Sequence, residues 1–236
     1  MAAIHAHRRL SASLATGLLH YTTASLSSLA DGADVPGWAN SGSAGPAYDL
    51  TATSPGAATY YAASGGQPAY VRFASVAHLV TSLVLPASFT GNHPRTIGLR
   101  FLRETSDSCN VLGYGTADGG GNLFDVMTYG NTTLVPHYYA GQISSPNGLA
   151  PGVYRTTTIR LSPLPGSANA LYELFEDGVK VLALQVDLTT GSSVLHVGGG
   201  VFSGYNNPIP RRLVGVYAVS EALTDAEIVQ QEALIS

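Results

Sequence analysis

Apolar and polar residues alternate along much of the chain, which is the pattern of strands in a half-buried sheet. Ile97, Leu99 and Phe101 fall on one face of such a segment. Thr96 and Arg100 fall on its other face. The same alternation, with many β-branched residues, predicts further strands over Tyr70–Phe73, Val111–Tyr114, Leu123–Met127, Val153–Leu161, Val194–Val197 and Leu213–Val219.

The clearest turn signal is Asp177-Gly178, which lies between two runs of this kind. Both central residues of a type I′ turn need positive φ, and Asp-Gly tolerates that conformation well. A two-residue turn places Leu174 opposite Val181. It also places Tyr172 opposite Ala183, so the segment is predicted to form a β-hairpin with one apolar face.

Helical spacing is rare. Thr224 and Glu227 form a capping box that opens a short C-terminal helix. A shorter helical turn is predicted near Ala24–Leu29. Many short strands separated by turn residues indicate an all-β, antiparallel two-sheet sandwich. We see no internal repeat and no long linker, so the chain is predicted to form one domain.

Composition narrows the function classes. The chain has 236 residues, 15 acidic and 11 basic side chains and a net charge of −4, and only 11% of its residues are charged. This balance argues against nucleic-acid binding, which needs clustered Lys and Arg. Cys109 is the only cysteine, so no intrachain disulfide forms.

The N-terminal segment only faintly resembles a signal peptide. Polar residues such as Ser13 and Thr16 interrupt its apolar stretch, and no apolar run in the chain approaches the roughly 20 residues that span a bilayer. Residues 1–19 are therefore predicted to be an arm that docks on the domain or on a neighbouring subunit, and no membrane insertion is expected.

Four segments follow one another in an order typical of a known superfamily. Ser25–Asn40 has a helix, Asp-Gly, Val, Trp and Asn pattern, and Ala69–Phe73 has the form of a first core strand. Leu171–Val181 is the hairpin, and Val214–Ile228 is a strand followed by the capped helix. Together they resemble the laminin-G-like, concanavalin A-like lectin/glucanase superfamily.

The resemblance implies a concanavalin A-like jelly roll over residues 20–236, with Trp38 as a core anchor. It implies no single activity, because this fold carries lectins, glycosidases, adhesion modules and structural domains. Glycosidases of the superfamily are expected to carry carboxylates two residues apart on one strand, as E-x-D-x-E. The sequence has no such run: Asp225 and Glu227 lie in the helix cap, and Glu173 and Glu176 are three apart. We therefore expect no catalytic residues and no enzyme activity.

Sugar recognition in such folds pairs an aromatic ring with hydrogen-bonding side chains. Tyr138 and Tyr139 supply rings in one segment, and Tyr205, Asn206 and Asn207 supply both types in another. If the loops at these strand ends meet on one rim, the five residues form a shallow carbohydrate site. The alternative is that the tyrosines pack inside the sandwich and the asparagines shape a turn.

Calcium is the one cofactor left open. Related modules often hold this ion through aspartates in rim loops, and Asp107, Asp118 and Asp125 lie in or beside predicted loops. The alternative is that they are solvated or turn-forming. His5 and His7 form an H-x-H pair without a third ligand nearby, so no zinc site is expected there.

The function predicted from these features is a non-catalytic, lectin-like structural or attachment module of a larger assembly, such as a virus or phage particle. Its partners are then the protein subunits that receive the arm, and cell-surface glycans. Its place is the particle surface or the extracellular space. A free carbohydrate-binding lectin is the alternative, and a polysaccharide-active enzyme comes third.

Overall fold

The computed structural model describes residues 19–73, 77–116, 123–129, 132–138, 141–187, 189–199 and 211–236, and between residues 129 and 143 it describes backbone only. Within these residues the strands are β1 (Leu19–Thr22), β2 (Gly37–Trp38), β3 (Leu50–Ala52), β4 (Thr59–Tyr61), β5 (Tyr70–Phe73), β6 (Leu79–Thr81), β7 (Arg95–Arg103), β8 (Cys109–Gly115), β9 (Leu123–Tyr129), β10 (Thr132–Tyr138), β11 (Gly141–Ser144), β12 (Arg155–Pro163), β13 (Asn169–Glu176), β14 (Val179–Asp187), β15 (His196–Val197) and β16 (Arg211–Val219). The α-helix is α1 (Asp225–Leu234), and 3-10 turns form at Thr23–Leu26, Pro46–Tyr48 and Ala87–Phe89.

The strands form two antiparallel sheets. Sheet A has the order β14-β13-β12-β7-β16-β5-β4, and β1 pairs with the second half of β16 beyond the end of β5. Sheet B has the order β11-β10-β9-β8-β15-β6-β3-β2. Every described pairing is antiparallel, which confirms the predicted two-sheet β-sandwich with a short C-terminal helix.

The core lies between the sheets, where the inward residues of both alternate with outward ones. Val71, Leu99 and Phe101 of sheet A and Leu112 and Val126 of sheet B belong to it. Burying each such side chain contributes roughly 1.5–3 kcal/mol.

Trp38 is the anchor that the sequence predicted. Its side chain is fully buried, and its indole N–H donates to the carbonyl oxygen of Thr22 at 2.8 Å. The Tyr21 ring lies beside it, with ring centroids 6.2 Å apart. The indole thereby connects β2 of sheet B with β1 of sheet A.

Helix α1 covers one part of the outer face of sheet A. Thr224 caps it, and the reciprocal bonds between Thr224 and Glu227 confirm the predicted capping box. Ile228 packs with Phe175 and Tyr217 in a second, smaller apolar cluster on this face. Among the described residues, we find no helix with the length and apolar content needed to cross a membrane.

The predicted hairpin forms, but its register is wrong by one residue beyond the turn. Asp177 and Gly178 both have positive φ, as a type I′ turn requires. A β-bulge then follows, so Leu174 pairs with Leu182 rather than with Val181. The bulge adds one residue to β14, a feature that alternation alone does not reveal.

Other predicted boundaries differ slightly. The strand expected over Val153–Leu161 runs from Arg155 to Pro163, and Pro163 still pairs with Ala170. The helical turn expected near Ala24–Leu29 is the 3-10 turn Thr23–Leu26. Strand β1 begins at Leu19, at the end of the predicted arm, and residues 1–18 lie outside the described residues.

Candidate functional site

The part of sheet A's outer face that α1 leaves open carries tyrosines and arginines. Strand β5 reads Tyr70-Val71-Arg72-Phe73, and Val71 and Phe73 are fully buried, so Tyr70 and Arg72 point to the outer face. By the same alternation Tyr61 of β4 points outward, as does Arg212 of β16. We call Tyr61, Tyr70, Arg72, Arg212 and the neighbouring Glu104 the tyrosine–arginine surface.

Three side chains of this surface stack in a row. Tyr61 and Tyr70 are directly paired across β4 and β5, and their rings stack with centroids 5.0 Å apart and planes 18° apart. The Arg212 guanidinium carbon lies 4.7 Å from the centre of the Tyr70 ring. This cation–π contact holds the guanidinium against the aromatic pair.

Glu104 connects the two arginines. Arg72 donates to both of its carboxylate oxygens, from Nε at 3.0 Å and from Nη2 at 2.8 Å. Arg212 donates from Nε to Oε1 at 2.8 Å. The hydrogen bond from Arg72 is the main cause that lowers the pKa of Glu104, and the bond from Arg212 acts in the same direction. An ion pair this exposed stabilises the fold by about 1 kcal/mol at most, so its main effect is to hold three side chains in fixed positions.

A shallow cavity opens beside this network. Its volume is about 360 Å³, and Gln67, Leu102, Glu104, Gly152 and Arg212 line it. Leu102 is buried and provides an apolar floor, whereas the side chains of the other three non-glycine residues supply hydrogen-bond donors and acceptors. The volume lies at the lower end of the range of small-ligand sites.

The chemistry of this surface favours binding over hydrolysis. A general acid needs a raised pKa at its working pH, and the pKa of Glu104 is lowered instead. Its oxygens already accept three hydrogen bonds from arginines. The outer face of the Tyr61 ring can stack a sugar ring, and the fixed polar groups beside the stack can bind sugar hydroxyls.

Of the five predicted carbohydrate residues, one lies within the described part of the chain. Tyr138 is the last residue of β10 in sheet B, where its backbone pairs with Gly141. Tyr139 and residues 205–207 (Tyr205, Asn206 and Asn207) lie outside the described residues. The site predicted on these five residues therefore stays a prediction, and its described member, Tyr138, lies on sheet B.

The predicted calcium ligands are not brought together among the described residues. Asp107 is exposed just before β8, whereas Asp125 pairs with Gly113 near the other end of that strand. Asp125 lies inside β9 rather than in a loop, and its complete burial raises the pKa of its carboxyl group well above the usual range. Asp118 lies outside the described part, within which no group of three His, Cys, Asp or Glu can hold a metal ion.

A histidine pair was missed by the sequence analysis. His196 Nδ1 lies 2.8 Å from His78 Nε2, and one ring nitrogen donates to the other. Burial lowers the pKa of His196 to about 4, and the nearby His78 acts in the same direction. The two residues are 118 positions apart in the chain, so no local pattern could have predicted their contact.

Comparisons with known proteins show the fold. No family model matches the sequence, and no curated protein matches it either. Solved structures do match. Domain 4 of AbnA, a GH43 extracellular arabinanase from Geobacillus stearothermophilus in complex with arabinotriose, has a TM-score of 0.59 at 12% identity, over 90% of this chain and 96% of that one.

Two further matches extend beyond the length of this chain. The binding domain of botulinum neurotoxin DC in complex with SialylT has a TM-score of 0.57 at 8% identity, over 86% of this chain and 52% of that one. A mutant Trypanosoma rangeli sialidase displaying trans-sialidase activity has a TM-score of 0.61 at 11% identity, over 99% of this chain and 38% of that one. At such identities the likeness establishes a shared β-sandwich of the lectin-like kind and nothing finer.

Proposed function

We propose that this chain is a non-catalytic, lectin-like binding module of the laminin-G-like, concanavalin A-like type, and that the tyrosine–arginine surface binds its glycan. The observation that carries the proposal is the stacked pair Tyr61 and Tyr70 with Arg212 packed against it. Sugar rings have apolar C–H faces and polar edges. The outer face of the Tyr61 ring is complementary to the apolar faces, and the hydrogen-bonding side chains beside the stack are complementary to the polar edges.

Preorganisation supports the same proposal. Immobilising a long polar side chain on binding costs roughly 0.5–1.5 kcal/mol. Arg72 and Arg212 are already held by Glu104, and Arg212 is held further by the Tyr70 ring. A ligand that binds here therefore loses less of its interaction energy to the ordering of side chains. Two of the matching structures are named as complexes, one with arabinotriose and one with SialylT, which agrees with a glycan ligand.

The biological role that we propose is attachment within a larger assembly such as a virus or phage particle, with residues 1–19 docking on its protein subunits. The sequence is poor in charge and rich in Gly, Ser, Thr and Tyr, which suits packing against other chains. A free lectin has the same glycan site but no such docking. Deleting residues 1–18, which leaves β1 intact, separates the two roles: we expect the deletion to abolish assembly and to keep glycan binding.

The first test is a glycan array with the purified chain, with and without calcium. We expect the double variant Tyr61→Ala, Tyr70→Ala to lose binding and Val179→Ala, a distant exposed residue, to retain it. The variant Tyr138→Ala, Tyr205→Ala tests the rim predicted from sequence. If glycan binding is lost in that variant alone, the binding site is the rim. If binding is lost when calcium is removed, a bound calcium ion is supported. A blank array with folded protein contradicts glycan binding, and turnover of a polysaccharide contradicts the non-catalytic assignment.

A further inference from the structure

The tyrosine–arginine surface contains one carboxylate fewer than its guanidinium groups require. Arg72 and Arg212 both bind Glu104, so two positive charges share one negative charge. Arg100 lies on the same outer face and packs against the Tyr154 ring, with its guanidinium carbon 5.8 Å from the ring centre. Arg72 and Arg212 thus leave one positive charge unbalanced on this surface, although the whole chain carries a net charge of −4.

Arg212 has donors to spare. Its Nε is bound to Glu104 and its guanidinium also interacts with the Tyr154 hydroxyl, whereas among the described residues no carboxylate or carbonyl oxygen accepts from its terminal amino groups. The side chain is 31% exposed and lines the cavity beside Gln67 and Leu102. A planar guanidinium edge that no carboxylate occupies matches the geometry of a carboxylate, which it can bind through two parallel hydrogen bonds.

We propose that the surface selects glycans that carry a carboxylate on the sugar ring, such as uronic or sialic acid residues. This inference rests on the proposed function, since it names the class of sugar for the same site. The carboxylate binds the terminal amino groups of Arg212 in the cavity beside Gln67 and Leu102, and a neighbouring sugar ring of the same glycan packs on the outer face of Tyr61. The ligand then completes an alternating network of two guanidiniums and two carboxylates. Gln67 is placed to bind the neighbouring hydroxyls.

Glu104 sets the strength of this preference. Its negative charge repels an incoming carboxylate, while its hydrogen bonds hold Arg72 and Arg212 in place. Removing the charge while keeping an acceptor oxygen, as in Glu104→Gln, therefore strengthens binding of the acidic ligand. A neutral ligand does not experience this repulsion and gains nothing from the change. The two substitutions Arg212→Gln and Glu104→Gln thus have opposite effects on one ligand class.

The experiment is calorimetric titration with matched probes: trigalacturonate against its methyl ester, and 3′-sialyllactose against lactose. We expect each acidic probe to bind at least tenfold more tightly than its neutral match, with a smaller ratio in high salt. Arg212→Gln should reduce the affinity for the acidic probe to that for the neutral one. Glu104→Gln should increase the affinity for the acidic probe several-fold. The charge-matched control is Lys180→Gln on the far edge strand β14, where Lys180 binds Glu173. This variant should change the affinity of neither the acidic nor the neutral probe.

The outcomes separate the inference from the proposed function. Equal affinity for acidic and neutral probes, both lost in Tyr61→Ala, Tyr70→Ala, overturns the inference and leaves the glycan site standing. Tighter binding of a sulfated lactose than of either carboxylated probe also overturns it, because a sulfate is then the preferred anion. No binding of any sugar by the folded chain contradicts the proposed function itself.

Discussion

The ring of Tyr217 on β16 lies over Gly98, its cross-strand partner on β7, and fills the space where a side chain at residue 98 would be. A Cβ at that position would come within 2.3 Å of the ring. The Tyr217 hydroxyl is 3.0 Å from Thr158 Oγ1. The Thr158 hydroxyl in turn donates to Glu232 Oε1 at 2.7 Å. The glycine thus lets a ring lie across the sheet and link three strands to helix α1.

Gly98→Ala tests this arrangement. The added methyl group collides with a buried ring that has no free space to move into, so we expect the free energy of unfolding to fall by about 2–3 kcal/mol. Urea unfolding measures the loss. In the background Tyr217→Ala the same substitution should cost much less, because the ring is gone. Equal costs in both backgrounds would show that Tyr217 is not the obstacle.

Glu232→Gln tests the helix contact through its pH dependence. Burial raises the pKa of the Glu232 carboxyl group above its ordinary value of 4.5. The unfolded chain therefore loses this proton first as the pH rises, and stability falls between pH 4.5 and the raised pKa. Gln carries no charge and keeps an acceptor oxygen for Thr158, but it turns an amino group toward the Gly178 N–H that the carboxylate also accepts from. We therefore expect the effect of the substitution at pH 7 to be more favourable than its effect at pH 3 by up to about 1 kcal/mol. Glu221→Gln, a partly exposed carboxyl group nearby, is the matched control.

The fold could be predicted in large part because its signals are local. Alternation located strands such as Tyr70–Phe73, which the structure forms with the same bounds. The Asp177-Gly178 turn and the Thr224 cap were also found, because each depends on a few adjacent residues. What local patterns omit is the β-bulge beyond Leu174, since bulges depend on packing between strands.

The candidate site could not be predicted because it joins strands distant in sequence. Alternation places Tyr70 and Arg72 on one face of β5, but nothing in the sequence says that β16 lies beside β5 and brings Arg212 over Tyr70. The contact between Glu104 and Arg212 could not be predicted for the same reason, because the two residues are 108 positions apart in the chain. The rim site stays a prediction from aromatic and asparagine residues that are adjacent in sequence, whereas the tyrosine–arginine surface is assembled from cross-strand pairs.

The histidine pair predicts a loss of stability in acid. The folded-state pKa of His196 is lowered from 6.5 to about 4, so the folded chain binds fewer protons than the unfolded chain between these values. Stability is therefore complete above pH 6.5 and decreases as the pH falls toward 4, by about 1–2 kcal/mol once solvent screening of the partly exposed ring is allowed for. His196→Asn should flatten this part of the stability profile in urea unfolding. His93→Gln, an exposed histidine, is the control that should leave it unchanged.

The hairpin turn offers a matched pair of glycine substitutions. Gly178 and Gly166 both have positive φ, 78° and 71°, so alanine is strained at either position by about 1 kcal/mol. A Cβ at Gly178 also meets Val229 of α1 at 3.2 Å, whereas a Cβ at Gly166 meets nothing within 4 Å. We expect Gly178→Ala to lower the melting temperature more than Gly166→Ala does. An equal decrease would mean that Val229 moves aside without cost.

Arg95 at the start of β7 is a buried cation held by backbone oxygens. Its Nη1 donates to the carbonyl oxygens of Gly91 at 2.8 Å and His93 at 3.2 Å, and its Nη2 donates to Thr190 Oγ1 at 2.9 Å. These bonds fasten the 90–93 turn and the segment around Thr190 to the end of the sandwich. Burial lowers the pKa of the guanidinium, yet an arginine side chain stays charged at neutral pH.

Arg95→Met should therefore destabilise the chain. It leaves the carbonyl oxygens of Gly91 and His93 and the hydroxyl of Thr190 without this donor, a loss that costs roughly 1–3 kcal/mol. Arg95→Lys keeps the charge but cannot reach all of the acceptors at once, so its cost should be intermediate. Arg100→Met on the same strand, where the side chain is half-buried, should cost less than 1 kcal/mol by an order-of-magnitude comparison with surface substitutions. Equal unfolding free energies for the methionine variants at 95 and 100 would show that the carbonyl contacts contribute nothing to the fold.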